Sequence, residues 1–195
     1  MDHLVQICDG FVISNIGQLA YFENSQVPLI ANYTMNVFNN ETILQLENLN
    51  LSKITISPEL TKEQIQSLNA KVPLELMAYG RQVVMTSEHC PVGSIVGGFT
   101  SKKPCSKPCI KDDIFFLKDR LGMKFRVLPD NIDCQSQILN SKITSIASKE
   151  ISIDSIRIDL LDETVEEIQN IIDTHRKGGK LSGEDYTNGH INRPV

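Results

Sequence analysis

Apolar positions in the first eighty residues fall into short runs that alternate with stretches of helical spacing. Gly10-Phe11-Val12-Ile13-Ser14-Asn15 reads as a short buried strand ending in polar residues. Residues 16–22 suit a short helix, closed by the turn-rich Glu23-Asn24-Ser25. Pro28-Leu29-Ile30-Ala31-Asn32-Tyr33 is a second strand. After the cap signal Asn39-Asn40-Glu41, the residues Ile43, Leu46 and Leu49 recur at helical spacing over 42–49. Lys53-Ile54-Thr55-Ile56-Ser57 is a third strand. The turn Ser57-Pro58-Glu59-Leu60 leads into a helix beginning near Thr61, where Thr61-Lys62-Glu63-Gln64 has the capping-box pattern. Leu74-Glu75-Leu76-Met77-Ala78-Tyr79 is a fourth strand, and it stops at Gly80.

Strands that alternate with helices across short loops imply parallel pairing, so the expected class is α/β. The strands end in polar residues, at Ser14-Asn15, Asn32 to Asn36, Ser57 to Glu59 and Tyr79-Gly80. In parallel architectures chemistry sits beyond those C-terminal ends. Most of these residues are expected to serve as loop and cap residues. The rhythm breaks after Gly80. Gly93, Gly97 and Gly98 and the lysines and prolines of residues 101–111 read as an irregular insertion. Residues 114–119 and 123–128 flank a Leu121-Gly122 turn and predict an antiparallel hairpin. Residues 136–140 read as a helical turn, and residues 142–146 as a short strand or turn. Ser155-Ile156-Arg157-Ile158-Asp159-Leu160 alternates as a strand. Residues 163–175 form an amphipathic helix with Val165, Ile168, Ile171 and Ile172 on one face, and Gly178-Gly179 stops it. The polar tail, 182–195, is expected to be loosely ordered unless it docks.

Bulk composition adds limits. A chain of 195 residues with 41% apolar and 22% charged residues buries an ordinary core. Its formal net charge of −5 gives no global reason to expect nucleic acid or an anionic membrane. No apolar run approaches the roughly 18 residues of a membrane span. The start, Met1-Asp2-His3-Leu4, lacks the form of a signal peptide. The chain therefore reads as soluble and cytoplasmic, where five cysteines do not form a disulfide framework.

Four of those cysteines follow the fourth strand, as Cys90-x14-Cys105-x3-Cys109-x24-Cys134. Three of the four touch a proline. A set of four thiolates suits tetrahedral zinc or an iron–sulfur cluster. The C-x2-C knuckle usual in structural zinc sites is absent, and Lys102, Lys103, Lys107 and Lys111 lie where they would offset thiolate charge; on their own they read first as a solvated loop, with an anion or nucleic-acid contact as the alternatives. Free cysteine also packs as a small buried hydrophobe, the preferred reading for Cys8. His89, beside Cys90, is open to a role as ligand, proton carrier or structural residue. The sequence contains no H-E-x-x-H, G-x-S-x-G, P-loop or G-x-G-x-x-G pattern, so spacing alone names no reaction.

Leu74-Glu75-Leu76-Met77-Ala78-Tyr79-Gly80, followed by Cys90 and the Cys105-x3-Cys109 pair, resembles the peptidase U-32 (collagenase-like protease) family. Further matches lie in order: Asp9 to Asn15, Asn36-Val37-Phe38-Asn39, Ser57-Pro58-Glu59-Leu60-Thr61, Ile156-Arg157-Ile158-Asp159, and Tyr186-Thr187-x-Gly189-His190. The resemblance implies a TIM-type (β/α) barrel whose four-cysteine site holds a 4Fe–4S cluster, with zinc as the alternative metal. It implies proteolysis, or, from other relatives, support of hydroxylation of RNA or of a quinone precursor.

Two departures qualify it. The family's His-Gly is Tyr79-Gly80 here, and its early cysteine is Val83, which leaves Cys134 as the natural fourth ligand. The chain also supplies only about five parallel strands, an incomplete barrel. A second chain or an N-terminal half is then expected to complete it; the alternatives are a non-catalytic half-barrel needing a partner chain and a truncated, inactive remnant. The expected organisation is strand–helix units over 1–80, a cysteine-rich insertion with hairpin over 81–135, the last barrel strand and helix over 136–180, and a tail over 181–195. Candidate catalytic residues are Glu59, His89, Tyr79 and Glu75, with a peptide or RNA substrate. Candidate ligands are Cys90, Cys105, Cys109 and Cys134.

Overall fold

A computed structural model describes residues 2–111 and 114–193. Residues 194–195 of the expected tail and residue 1 of the expected first segment lie outside that description. The chain divides into two compact units, Met1–Gly80 with Thr144–Val195, and Arg81–Ile143.

The first unit opens with a helix, α1 (Asp2–Ile7), followed by β1 (Phe11–Ile13), α2 (Ile16–Tyr21) and β2 (Leu29–Ala31). A 3-10 turn (Tyr33–Met35) leads to α3 (Asn40–Glu47), β3 (Lys53–Thr55), α4 (Lys62–Gln66) and β4 (Leu74–Gly80). The caps are where the sequence puts them. Asn39 Oδ1 accepts from the Thr42 amide at 2.9 Å. Thr61 and Gln64 form a reciprocal capping box, which satisfies two amides that the first turn leaves without partners. The helix α1 was not legible, because its six residues show no periodic apolar face.

The chain leaves this unit after Gly80. The second unit is β5 (Val83–Ser87), α5 (Pro91–Ile95), a 3-10 turn (Pro108–Lys111), β6 (Phe115–Lys118), β7 (Lys124–Pro129) and β8 (Ser136–Leu139). These strands form one sheet in the order β5-β8-β7-β6. The expected hairpin is present, with Phe116 opposite Arg126 in an antiparallel register. The turn holds because Asp119 Oδ1 accepts from the amides of Leu121 and Met123, both at 2.8 Å, and Gly122 supplies the positive φ of 86°. The helical turn expected over 136–140 is instead the strand β8, which runs antiparallel to both β5 and β7. Four residues are too few to separate the two periodicities. The deciding factor is pairing with β5, a strand that itself reads as irregular sequence. Val92, Val127 and Ile138 form the small core here.

The chain returns to the first unit through β9 (Ile143–Ser145), β10 (Ser155–Ile158), α6 (Val165–Arg176) and β11 (Tyr186–Thr187). The strands β1, β2, β3, β4 and β10 are all parallel. Among the described strands β1 and β10 each pair with one neighbour, so the sheet is not closed. The strand β9 is antiparallel to the end of β4, with Tyr79 opposite Ser145 and Gly80 opposite Thr144. The tail docks rather than hanging loose: Ile191 is 7% exposed within the main core, and its carbonyl accepts from the Lys62 amide. Ile13, Ala31, Ile43, Ile54, Ile65 and Leu76 are among the residues that build that core. No described helix is long and apolar enough to cross a membrane.

Candidate functional site

In the second unit, Cys90 stands at the N-cap of α5, and Pro91 follows at the position where a missing N–H costs nothing. Its Sγ accepts from the Gly93 amide at 3.2 Å. The Sγ of Cys105 accepts from the Lys107 amide, also at 3.2 Å. Gly93 lies between these sulfurs: a Cβ there would stand 3.5 Å from both. The two sulfurs are therefore within twice that distance of each other. Gly97 is tighter still, since its Cβ would lie 2.5 Å from Cys105 Sγ and 2.8 Å from the Gly93 carbonyl oxygen. Cys109 sits in the 3-10 turn, and Cys134 is held at a φ of 59°, a left-handed conformation uncommon outside glycine and asparagine.

All four sulfur-bearing residues line one cavity of about 360 Å³, together with His89, Phe99, Pro104, Lys107, Pro108 and Asp130. All four are free thiols. Among the described residues, no three His, Cys, Asp or Glu side chains converge closely enough to hold a metal ion. The cavity thus gathers the residues without closing a cage. His89, at its rim and exposed, has Nε2 3.2 Å from Ser94 Oγ, and its own amide donates to Ser87 Oγ. Cys8 is outside this group, in the other unit.

In the first unit the other candidates separate. The Glu75 carboxylate is fully engaged: Lys53 Nζ lies 3.1 Å from Oε2, and Thr55 Oγ1 donates to Oε1 at 3.0 Å. It braces β3 against β4. Glu59 is exposed in the turn before α4, where its amide donates to Ser57 Oγ. Tyr79 is 1% exposed, and its hydroxyl donates to Glu163 Oε1 at 3.0 Å. Burial, reinforced by that carboxylate, pushes the phenol well above its ordinary pKa. Tyr79 is therefore a fixed donor and not a base.

Two features of this unit escaped sequence reasoning. His175 is 1% exposed, with Nε2 3.2 Å from Ser145 Oγ and its ring edge-on to Tyr79 at 5.8 Å. Burial lowers its pKa, against a weaker opposing effect of the Ile146 backbone. The second is a polar network at the C-terminal ends of the parallel strands. Arg157 on β10 donates from Nη1 to Asn32 Oδ1, just past β2, at 2.9 Å. A flat sheet would hold β2 and β10, three strand spacings apart, at about 14 Å. Asn32 lies past the end of β2, so the loop there and the long Arg157 side chain together bridge that span.

Residues 2–176 match the family model described as Peptidase family U32. No curated protein and no solved structure matches the chain.

Proposed function

This chain belongs to peptidase family U32, and from that premise we propose a peptidase-related enzyme whose Arg81–Ile143 unit holds a 4Fe–4S cluster on Cys90, Cys105, Cys109 and Cys134. The observation that carries this reading is the single cavity lined by all four. The donor set suits the group, because four cysteines are the usual ligands of such clusters. Backbone amides already point at two of the sulfurs, and glycines stand where side chains would crowd them. When bound, the cluster supplies electron transfer and ties the loops around it together. Zinc is the alternative occupant.

The parallel sheet of the first unit is read as part of a (β/α) barrel. Its run of five parallel strands, with Arg157 on β10 bonded to Asn32 past β2, supports this. So do the two outer strands β1 and β10, each paired with one neighbour among the described strands. A second polypeptide supplying further parallel strands is the partner these edges would take, and Val12 on β1 is 51% exposed at one of them. Size-exclusion of the chain alone tests this, a monodisperse monomer counting against it.

For hydrolysis the exposed pairing of nucleophile and base is Ser94 with His89, beside Cys90, whereas the Ser145–His175 pair at the same 3.2 Å is buried. Ser94 Oγ also donates to the Pro91 carbonyl at 3.2 Å, which leaves its oxygen to accept from His89 Nε2 when that nitrogen carries the proton. The test is cleavage of gelatin or a short peptide by anaerobically prepared protein. Activity lost in both His89→Ala and Ser94→Ala supports the peptidase reading. Activity unaffected by either change assigns the hydrolysis elsewhere. Absence of cleavage, with turnover of a redox substrate, moves the reading to support of hydroxylation.

A further inference from the structure

Arg157 is a doubly anchored cation near the C-terminal ends of the parallel strands, and neither the proposed cluster nor the Ser94–His89 pair uses it. Its Nε donates to Asp159 Oδ1 at 2.5 Å, and its Nη1 to Asn32 Oδ1 at 2.9 Å. Asn32 is itself fixed. The same Oδ1 accepts from the Tyr33 amide at 2.9 Å, and Nδ2 donates to Ser14 Oγ at 3.0 Å. Thr34 Oγ1 closes the network by donating to the Ser14 carbonyl. Residues following β1, β2 and β10 thus hold one guanidinium in place.

A guanidinium carries five N–H donors in a rigid plane. Here Nε and Nη1 have partners, and Nη2 has none among the described residues. The side chain remains 27% exposed. The plane is therefore oriented, and Nη2 keeps its N–H donors free on a part-exposed side chain. Preorganised forks of this kind match the two oxygens of a carboxylate. Asp159 neutralises the pair, and the chain's net charge of −5 disfavours a polyanion. Recognition then depends on directed hydrogen bonds to a single small anion rather than on a broad positive field.

We propose that Arg157, steadied by Asn32 and Asp159, forms a subsite for a ligand carboxylate at the C-terminal edge of the sheet. This holds whichever reaction the chain performs and whatever metal the cysteines bind. The carboxylate belongs either to a peptide C-terminus or to a small organic acid.

The test is an NMR titration of the full chain, following the Arg157 Nε–H resonance, with three probes. These are N-acetyl-dialanine as its free acid, the same peptide as its amide, and acetate. The free acid is expected to bind saturably and at least about tenfold more tightly than the amide, as one charge-assisted contact provides. Arg157→Gln is expected to abolish the difference, and Arg157→Lys to reduce it, because the charge remains and the fork does not. Acetate binding as tightly as the peptide acid supports the subsite and assigns it to small acids. Weaker acetate binding supports it and assigns it to peptides. Equal affinity for acid and amide in the wild-type protein overturns the proposal, as does absence of saturable binding. That contrast decides the matter even where Arg157→Gln fails to fold.

Discussion

Gly97 and Cys105 are in direct contact: a Cβ added at Gly97 would stand 2.5 Å from the Cys105 sulfur. The nearest backbone atom, the Gly93 carbonyl oxygen, would be 2.8 Å away, so neither neighbour yields easily. Gly97→Ala should displace Cys105 and cost about 1–3 kcal/mol through overpacking. Metal content should fall together with stability. An alanine variant that keeps both would show that the sulfur moves freely and that the glycine is not part of the site.

Gly80 has the same kind of role in the first unit. It holds a φ of 136°, and a Cβ there would lie 2.8 Å from both the Cβ and the carbonyl oxygen of Asp159. Gly80→Ala should lower the urea midpoint by the equivalent of about 1–3 kcal/mol from backbone strain alone. The close approach comes from the residue just past β10, where the Asp159 amide donates to the Tyr79 carbonyl at 2.9 Å. An unchanged midpoint would mean that β10 shifts away without penalty.

Glu75 is expected to matter for folding and not for chemistry. Its partners Lys53 and Thr55 use both carboxylate oxygens. Glu75→Ala should destabilise by about 1–3 kcal/mol, since Lys53 is part-exposed and regains water. Specific activity per folded molecule should be unchanged. Loss of activity in a variant as stable as the wild type would return Glu75 to the catalytic residues.

Buried His175 ties stability to pH. Its folded pKa is lowered by burial, while in the unfolded chain it titrates near the ordinary value of about 6.5. As pH falls below that value, the unfolded state takes up a proton that the native ring resists. Stability is therefore full above the unfolded pKa and declines as pH drops toward the folded one. Urea midpoints between about pH 7.5 and 5.5 should fall for the wild type and flatten for His175→Phe. A parallel decline in both proteins would assign the effect to other groups.

The local features were the legible ones. The box at Thr61 and the stripe of residues on α6 depend on neighbours three or four positions away. The spacing of the four cysteines was also visible, although the glycine contacts that shape their cavity were not. A glycine's role there depends on which sulfur faces it in space. The strand β8 was hidden because its register comes from β5 and β7 rather than from its own four residues. Arg157 and Asn32 were hidden for the same reason, being 125 positions apart. The polar ends of the strands were noted, but sequence alone did not show which of them meet.

The central claim is the four-cysteine cluster, and one measurement tests it most directly. Protein purified without oxygen is assayed for iron, acid-labile sulfide and zinc, alongside serine variants at Cys90, Cys105, Cys109 and Cys134. The wild type should be brown and carry about four irons and four sulfides per chain, with loss of iron in all four variants. A colourless protein containing one zinc, or full iron retention in Cys134→Ser, would contradict it.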